Sequence, residues 1–228
     1  MASSQFDQLT GQFLRAVRDA GGGLVAVCAA CVRVLPVRGA AIVLEERDAG
    51  MQPWCASDEL ADRVESAQAT AGEGPAVAAV ADGMPVLLAD LGHDCEQWPG
   101  FAEALAGLPV SGSMLAVPLR LGAIRLGAVD LYRDAVGRPG PRLMSAALHV
   151  ADLVTASLIL ASGGEAHRWS QPLSSQWIHQ AAGMTSAQLG IGRDDACARL
   201  RAHAFTLSLP LVEVARRVVD GSLRLPDE

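Results

Sequence analysis

Residues 113–133 read SMLAVPLRLGAIRLGAVDLYR. Two apolar runs, Ser113–Leu121 and Arg125–Arg133, flank the short connection Gly122-Ala123-Ile124, which is the pattern of an antiparallel strand pair. A hairpin of this kind needs partners along its edges and a cover on each apolar face. The rest of the chain supplies candidates for both.

Upstream, Gly39–Glu45 and Met51–Cys55 read as two further strands around a turn, and Pro85–Ala89 is a continuous apolar run of strand length. Phe6, Leu9, Phe13, Leu14 and Val17 recur at helical spacing until Gly21-Gly22-Gly23. Leu24–Leu35 is then apolar nearly all round, as a buried helix is, until Pro36. Asp58–Ala69, a short alanine-rich stretch after Gly72-Glu73-Gly74-Pro75, and Trp98–Leu105 read as helices. Downstream, Leu143, Ala147, Val150, Leu153, Val154 and Leu160 give the segment Pro141–Ala161 a stripe wide enough to cover a sheet or to meet a second copy. Strands with helices at both ends predict an α+β fold with an antiparallel sheet flanked by helices.

The 228 residues, half of them hydrophobic, accommodate this domain and a second small one. We place the boundaries at 1–161, 162–172 for a polar linker, and 173–228. Charge divides the same way: eleven arginines face eighteen acidic residues from Met1 to Gly164, and there are seven of each from Glu165 to Glu228. The first part is therefore no electrostatic lure for nucleic acid, and any such contact by the second has to come from a local arrangement of arginines. Leu143–Ala161 is interrupted by His149, Asp152 and Thr155 and reads as an amphipathic helix, so no membrane partner is expected. The N-terminus lacks a basic region followed by an apolar run, which predicts a cytoplasmic protein. Five cysteines, odd in number and irregularly spaced, are expected to behave as small buried hydrophobes without a disulfide framework.

The last sixty residues carry signals for three short helices. Ser174 or Ser175 is placed to cap the first, Gly190 to stop it, Gly192 to open the second with Asp194 and Asp195 in its first turn, and Pro210 to sit in the first turn of the third. Projected at about 100° per residue, Trp177, Ile178, Ala181, Thr185 and Leu189 share one side of the first helix. Ala196, Leu200, Ala204 and Leu207 line the second, and Leu211, Val214, Ala215 and Val218 the third. Three stripes closing on one another predict a bundle. Gly183 falls off the first stripe, where it costs about 0.8–1 kcal/mol relative to alanine. Two compensations are open: close approach of a nucleic-acid backbone, or packing of the linker or a partner chain.

Two stretches of the first part, Gln68–Pro75 (QATAGEGP) and Pro85–Leu91 (PVLLADL), taken with Ala116–Tyr132 in this order, resemble a GAF domain over roughly Phe6–Leu160. Ala76 occupies a position where many relatives have cysteine. The second part is similar to an ANTAR domain: Gln180-Ala181-x-Gly183, Leu189-Gly190-Ile191, Ala196, Leu200-Arg201, Ala204 and Pro210-Leu211-x-Glu213-Val214-Ala215 follow its order across Trp177–Leu225. Together they identify the chain with the GAF and ANTAR transcription antitermination regulators of actinobacterial type. That resemblance implies a homodimer whose C-terminal bundles bind a two-hairpin leader RNA, with the GAF part responding to a signal, which includes a small-molecule effector among its possible forms. Gln180, Ala181, Gly183, Arg199, Arg201 and His203 are the RNA-binding candidates. The alternative is a ligand-sensing dimerisation or protein-interaction module that does not bind RNA. Ala182 stands where the family commonly has lysine, and Thr185-Ser186 replaces a leucine-methionine pair; a lost cation weakens phosphate binding and its salt dependence.

No enzyme, cofactor or metal is expected. Cys28-Ala29-Ala30-Cys31 lies in an apolar helix, and Cys55, Cys95 and Cys197 do not complete a zinc ligand set. His93-Asp94-Cys95 is too short to specify a site. Neither a GxSxG elbow nor a Walker loop occurs, and Gly72-Glu73-Gly74 does not follow the strand that a dinucleotide fingerprint requires. The residues lining the GAF ligand pocket are not identifiable at this level.

Overall fold

The computed structural model describes residues 2–46, 49–162 and 173–226. Its centre is a five-stranded antiparallel sheet in the order β2-β1-β5-β4-β3. The strands are β1 (Gly39–Glu46), β2 (Gly50–Ala56), β3 (Val86–Leu88), β4 (Ser113–Leu121) and β5 (Ile124–Arg133). The hairpin read from residues 113–133 is β4–β5, with Leu115 opposite Leu131 and Val117 opposite Val129. β5 continues the sheet to β1, where Ile42 faces Val129 and Ala41 faces Asp130. Gly127 lets these two strands approach: its φ is 155°, and a Cβ there would overlap the Val43 carbonyl.

Because side chains alternate along a strand, the sheet has two separate cores. Ala40, Ile42, Leu115, Val117, Val129 and Leu131 point to one face, where α1 (Ala2–Asp19), α2 (Gly23–Val34) and α6 (Pro141–Ser162) cover them. Ala41, Met114 and Tyr132 point to the other, under α3 (Glu59–Ala71) and α5 (Pro99–Leu105), with Val43 and Ala128 under α4 (Pro75–Asp82). α6 is long and apolar enough to cross a membrane by length and composition alone. Its Ala147, Val150 and Val154 are nevertheless buried in the first core, which is the sheet-covering role its stripe predicts.

The C-terminal part is three helices, α7 (Leu173–Leu189), α8 (Arg193–Thr206) and α9 (Leu211–Val219), around Ile178, Ala181, Leu200, Ala204, Leu211, Val214, Ala215 and Val218. Three local expectations change. α7 begins at Leu173, so Ser175 lies in its first turn instead of capping it, and its buried hydroxyl has no hydrogen-bond partner among the described residues. Leu207 follows the end of α8 and is 42% exposed, so it leaves the stripe. Pro210 is the residue preceding α9, not part of its first turn. The proposed linker 162–172 lies outside the described residues except for Ser162, the last residue of α6.

The cysteine expectation is also corrected. Cys28 of α2 and Cys55 of β2 form a disulfide with Cα atoms 6.6 Å apart, while Cys31, Cys95 and Cys197 are free and buried. α2 lies across the edge of the sheet, so two residues 27 apart in sequence meet through tertiary packing that their spacing does not encode. Burial pushes the Cys31 thiol up to about 12, so it stays protonated and inert although it is one turn from the bridge. Closing a loop of this length is worth about 3–4 kcal/mol in the chain-entropy account. Cys55→Ala is therefore expected to lower the thermal midpoint by about 10 °C in a melt followed by circular dichroism, and a reductant is expected to lower wild type alike but not the variant. Coincident melts of the oxidised protein and the variant would show that the bridge contributes nothing.

Candidate functional site

The most unusual chemistry in the sheet domain is a set of polar side chains where apolar ones would be expected. Glu65 and Gln68 lie on the buried face of α3, one turn apart, and Asp130 and Tyr132 alternate with apolar residues along β5. All four are at most 4% exposed. The Tyr132 hydroxyl donates to Glu65 Oε1, and Gln68 Nε2 donates to Glu65 Oε2 at 2.7 Å and to Asp130 Oδ2 at 3.1 Å. Gln68 Oε1 accepts the Ala76 amide at 2.8 Å, which ties the cluster to the start of α4. Gly74 is required there, because a Cβ would stand 2.5 Å from Gln68 Oε1. Asp130 Oδ1 has no partner among the described residues.

Two carboxyls in one buried network cannot both ionise cheaply. Burial, and then the Asp130 charge, hold Glu65 well above the usual carboxylate range; burial raises Asp130 to about 6. Burial and the neighbouring carboxylates push the Tyr132 phenol up as well, so it remains a donor. The network thus holds a proton in the core of the sheet domain at near-neutral pH. Sequence reading missed it, although two acids at Glu65 and Asp130 inside otherwise apolar patterns were a visible signal.

A second feature lies where the C-terminal bundle meets the sheet domain. His179 Nε2 of α7 and Glu46 Oε2 of β1 lie 2.6 Å apart, in hydrogen-bond contact. The Leu211 amide donates to Thr70 Oγ1 of α3 at 3.1 Å, and Arg201 Nη1 of α8 donates to the Ala49 carbonyl at 3.3 Å. Ala49 is buried with the bundle core itself. Two clefts flank these contacts. One, about 210 Å³, has Met51, Gln68 and Val80 on the sheet-domain side and Arg201 on the other. The other, about 220 Å³, lies between Trp54, Thr70, Ile178 and Leu211.

The six candidate RNA residues are dispersed. Ala181 is fully buried in the bundle core. Arg201 is half-buried at the contact with the sheet domain, whereas Gln180 is exposed and His203 half-buried. Arg199 is half-buried and donates to the Pro226 carbonyl at 3.0 Å instead of pairing with Asp195. Gly183 follows His179 by one turn, and among the described residues a Cβ on it would meet only Arg193 Nη2, at 3.7 Å. No packing within the bundle therefore demands glycine. Among the described residues no group of three or more His, Cys, Asp or Glu side chains could hold a metal ion.

The raised carboxyl values fix a pH response. Between the ordinary values of 3.8 and 4.5 and the raised folded values, the folded state binds more protons than the unfolded chain, so stability falls as pH rises. The contribution is fully present below about pH 4 and is lost as pH rises through about 6 and beyond. Asp130→Asn is expected to flatten the decline in thermal midpoint between pH 4.5 and 8. An equally steep decline in the variant would remove Asp130 from the titrating network.

Comparison with known proteins places this architecture. No family model matches the chain, and no curated protein matches it in sequence. Among solved structures, the GAF domain of a phosphoenolpyruvate-protein phosphotransferase from Acinetobacter superposes with a TM-score of 0.54 at 14% identity, covering 72% of this chain and 98% of that one. A domain of a two-component sensor histidine kinase protein from Sinorhizobium meliloti 1021 superposes with a TM-score of 0.50 at 20% identity, covering 64% and 94%. The sheet domain therefore has a GAF-like fold.

Proposed function

We propose that the chain is a transcription antitermination regulator: the GAF-like domain senses a signal and governs how a C-terminal ANTAR-type bundle binds the paired hairpin loops of a leader RNA. It acts in the cytoplasm, as a homodimer, and performs no catalysis of its own. The observation that carries this reading is Gly183. It sits in the middle of a 17-residue helix, at a position where an added Cβ would meet, among the described residues, only the tip of Arg193. A helix-weakening residue with no internal packing role is accounted for by a ligand backbone that approaches closely. On the same bundle the exposed Gln180 and the half-buried Arg199 supply an amide and a cation to such a ligand.

The runner-up is a bundle that serves only as an interaction module, and Arg201 favours it: its guanidinium is engaged with the sheet domain, and Ala182 takes the place of a cation. The two readings separate in a filter-binding titration of the full chain against a synthetic two-hairpin leader RNA and a scrambled-loop control over a salt series. Selective binding that weakens as salt increases supports the regulator. Gly183→Leu is then expected to reduce affinity at least tenfold while the thermal midpoint stays at or above that of wild type. Binding that ignores loop sequence, or an affinity indifferent to the substitution, would favour the interaction module.

A further inference from the structure

The sheet face beneath α3, α4 and α5 has little room for a ligand. Ala41, Val64, Leu88, Phe101 and Met114 fill it and are at most 1% exposed, and the Glu65–Gln68–Asp130–Tyr132 network occupies the remainder. Open volume lies at the rim of that face, in the cleft of about 210 Å³ between the end of the β1–β2 hairpin, the C-terminal end of α3, α4 and the bundle. Its floor is apolar, formed by Met51, Val77 and Val80. Its charged groups are Arg125 of β5, Arg201 of α8 and Glu45 of β1.

The two arginines carry the argument. The Arg201 stem packs over Gly72 at the end of α3, and among the described residues one of its five guanidinium donors reaches a protein acceptor, the Ala49 carbonyl, at the long distance of 3.3 Å. Among the described residues no carboxylate lies within 4.0 Å of either arginine; Glu46, the nearest acid in sequence to Glu45, is taken by His179. A half-buried guanidinium facing a cleft, with no counter-ion among the described residues, attracts an anion, and its planar fork matches a carboxylate. Glu45 at the rim opposes a dianion, and the apolar floor rewards a hydrocarbon body. The volume is below the roughly 300–1,000 Å³ of drug-sized ligand sites, so the occupant is metabolite-sized.

We propose that this rim cleft binds a small monocarboxylate with an apolar body, its carboxylate held between Arg201 and Arg125. The inference rests on the sensor reading above and names the chemical class of the signal. The site is incomplete without the bundle: one clamp comes from α8 and the rest of the wall from the sheet domain. A bound acid therefore bridges the two parts and competes with the Ala49 carbonyl for Arg201.

Isothermal titration of the full chain with phenylacetate, 4-phenylbutyrate and isovalerate tests this, with 2-phenylethanol as the neutral control and inorganic phosphate as the anion control. Saturable binding of at least one acid is expected, with none of the alcohol and at least tenfold weaker binding of phosphate. Arg201→Gln and Arg125→Gln are each expected to weaken the acid at least tenfold. Arg125 is exposed, so its variant reports on the site even where loss of Arg201 disturbs docking. Ala81→Trp, at an exposed position on the cleft wall, is expected to block binding by filling it. No saturable binding of any acid, phosphate binding as well as the acids, or affinity unchanged in both arginine variants overturns the proposal. RNA binding is measured on the same wild-type protein. Acid binding without RNA binding leaves the site standing and removes the antitermination reading, and RNA binding without acid binding does the reverse.

Discussion

Everything in the larger domain depends on burying both faces of one antiparallel sheet. β1 and β5 lie at its centre, and along them successive residues enter opposite cores: Ile42 and Val129 under α1, α2 and α6, Ala41 and Tyr132 under α3 and α5. A one-residue slip between these strands would exchange the two sets and carry Asp130 into a wholly apolar core. Register is thus pinned by packing on both sides, and by Gly127, whose missing Cβ allows β5 to lie against Val43. The Cys28–Cys55 bridge adds a covalent tie between the helical cover and the edge strand β2.

The second core is where fold and chemistry meet. A carboxyl network held by Gln68 reaches from α3 across to β5 and forward to Ala76, so the turn through Gly74 into α4 is built around it. The polar group that anchors this turn also faces the rim cleft: Gln68 lines it alongside Arg201. A change in the cleft is therefore one side chain from the proton-holding network, and a change in the network is one side chain from the bundle. Coupling of this kind would require two arrangements with different affinities.

The likeness to solved structures is one of fold alone. Function has to be argued from sites, not from the sandwich. The bundle makes that division concrete. α7, α8 and α9 close around Leu200, Val214 and Ala215 much as their apolar spacing demands, while the candidate contacts on them take separate fates: Ala181 inward, Arg199 outward, Arg201 onto the neighbouring domain. Sequence spacing resolves which side of a helix a residue occupies, and it is silent on what covers that side.

The same division runs through the whole protein. Hairpin β4–β5, the apolar stripe of α6 and the three C-terminal helices were legible from residue order, because periods of two and 3.6 residues report the local path of the backbone directly. Leu207 and Ser175 mark its limit, since helix ends depend on hydrogen bonds that composition encodes only weakly. The pairing of Cys28 with Cys55, the meeting of Glu65 with Asp130 and the turning of Arg201 toward Ala49 were decided by tertiary structure alone. Each joins residues between 27 and 152 positions apart, and proximity at that range is set by how whole elements pack rather than by any pattern within one of them.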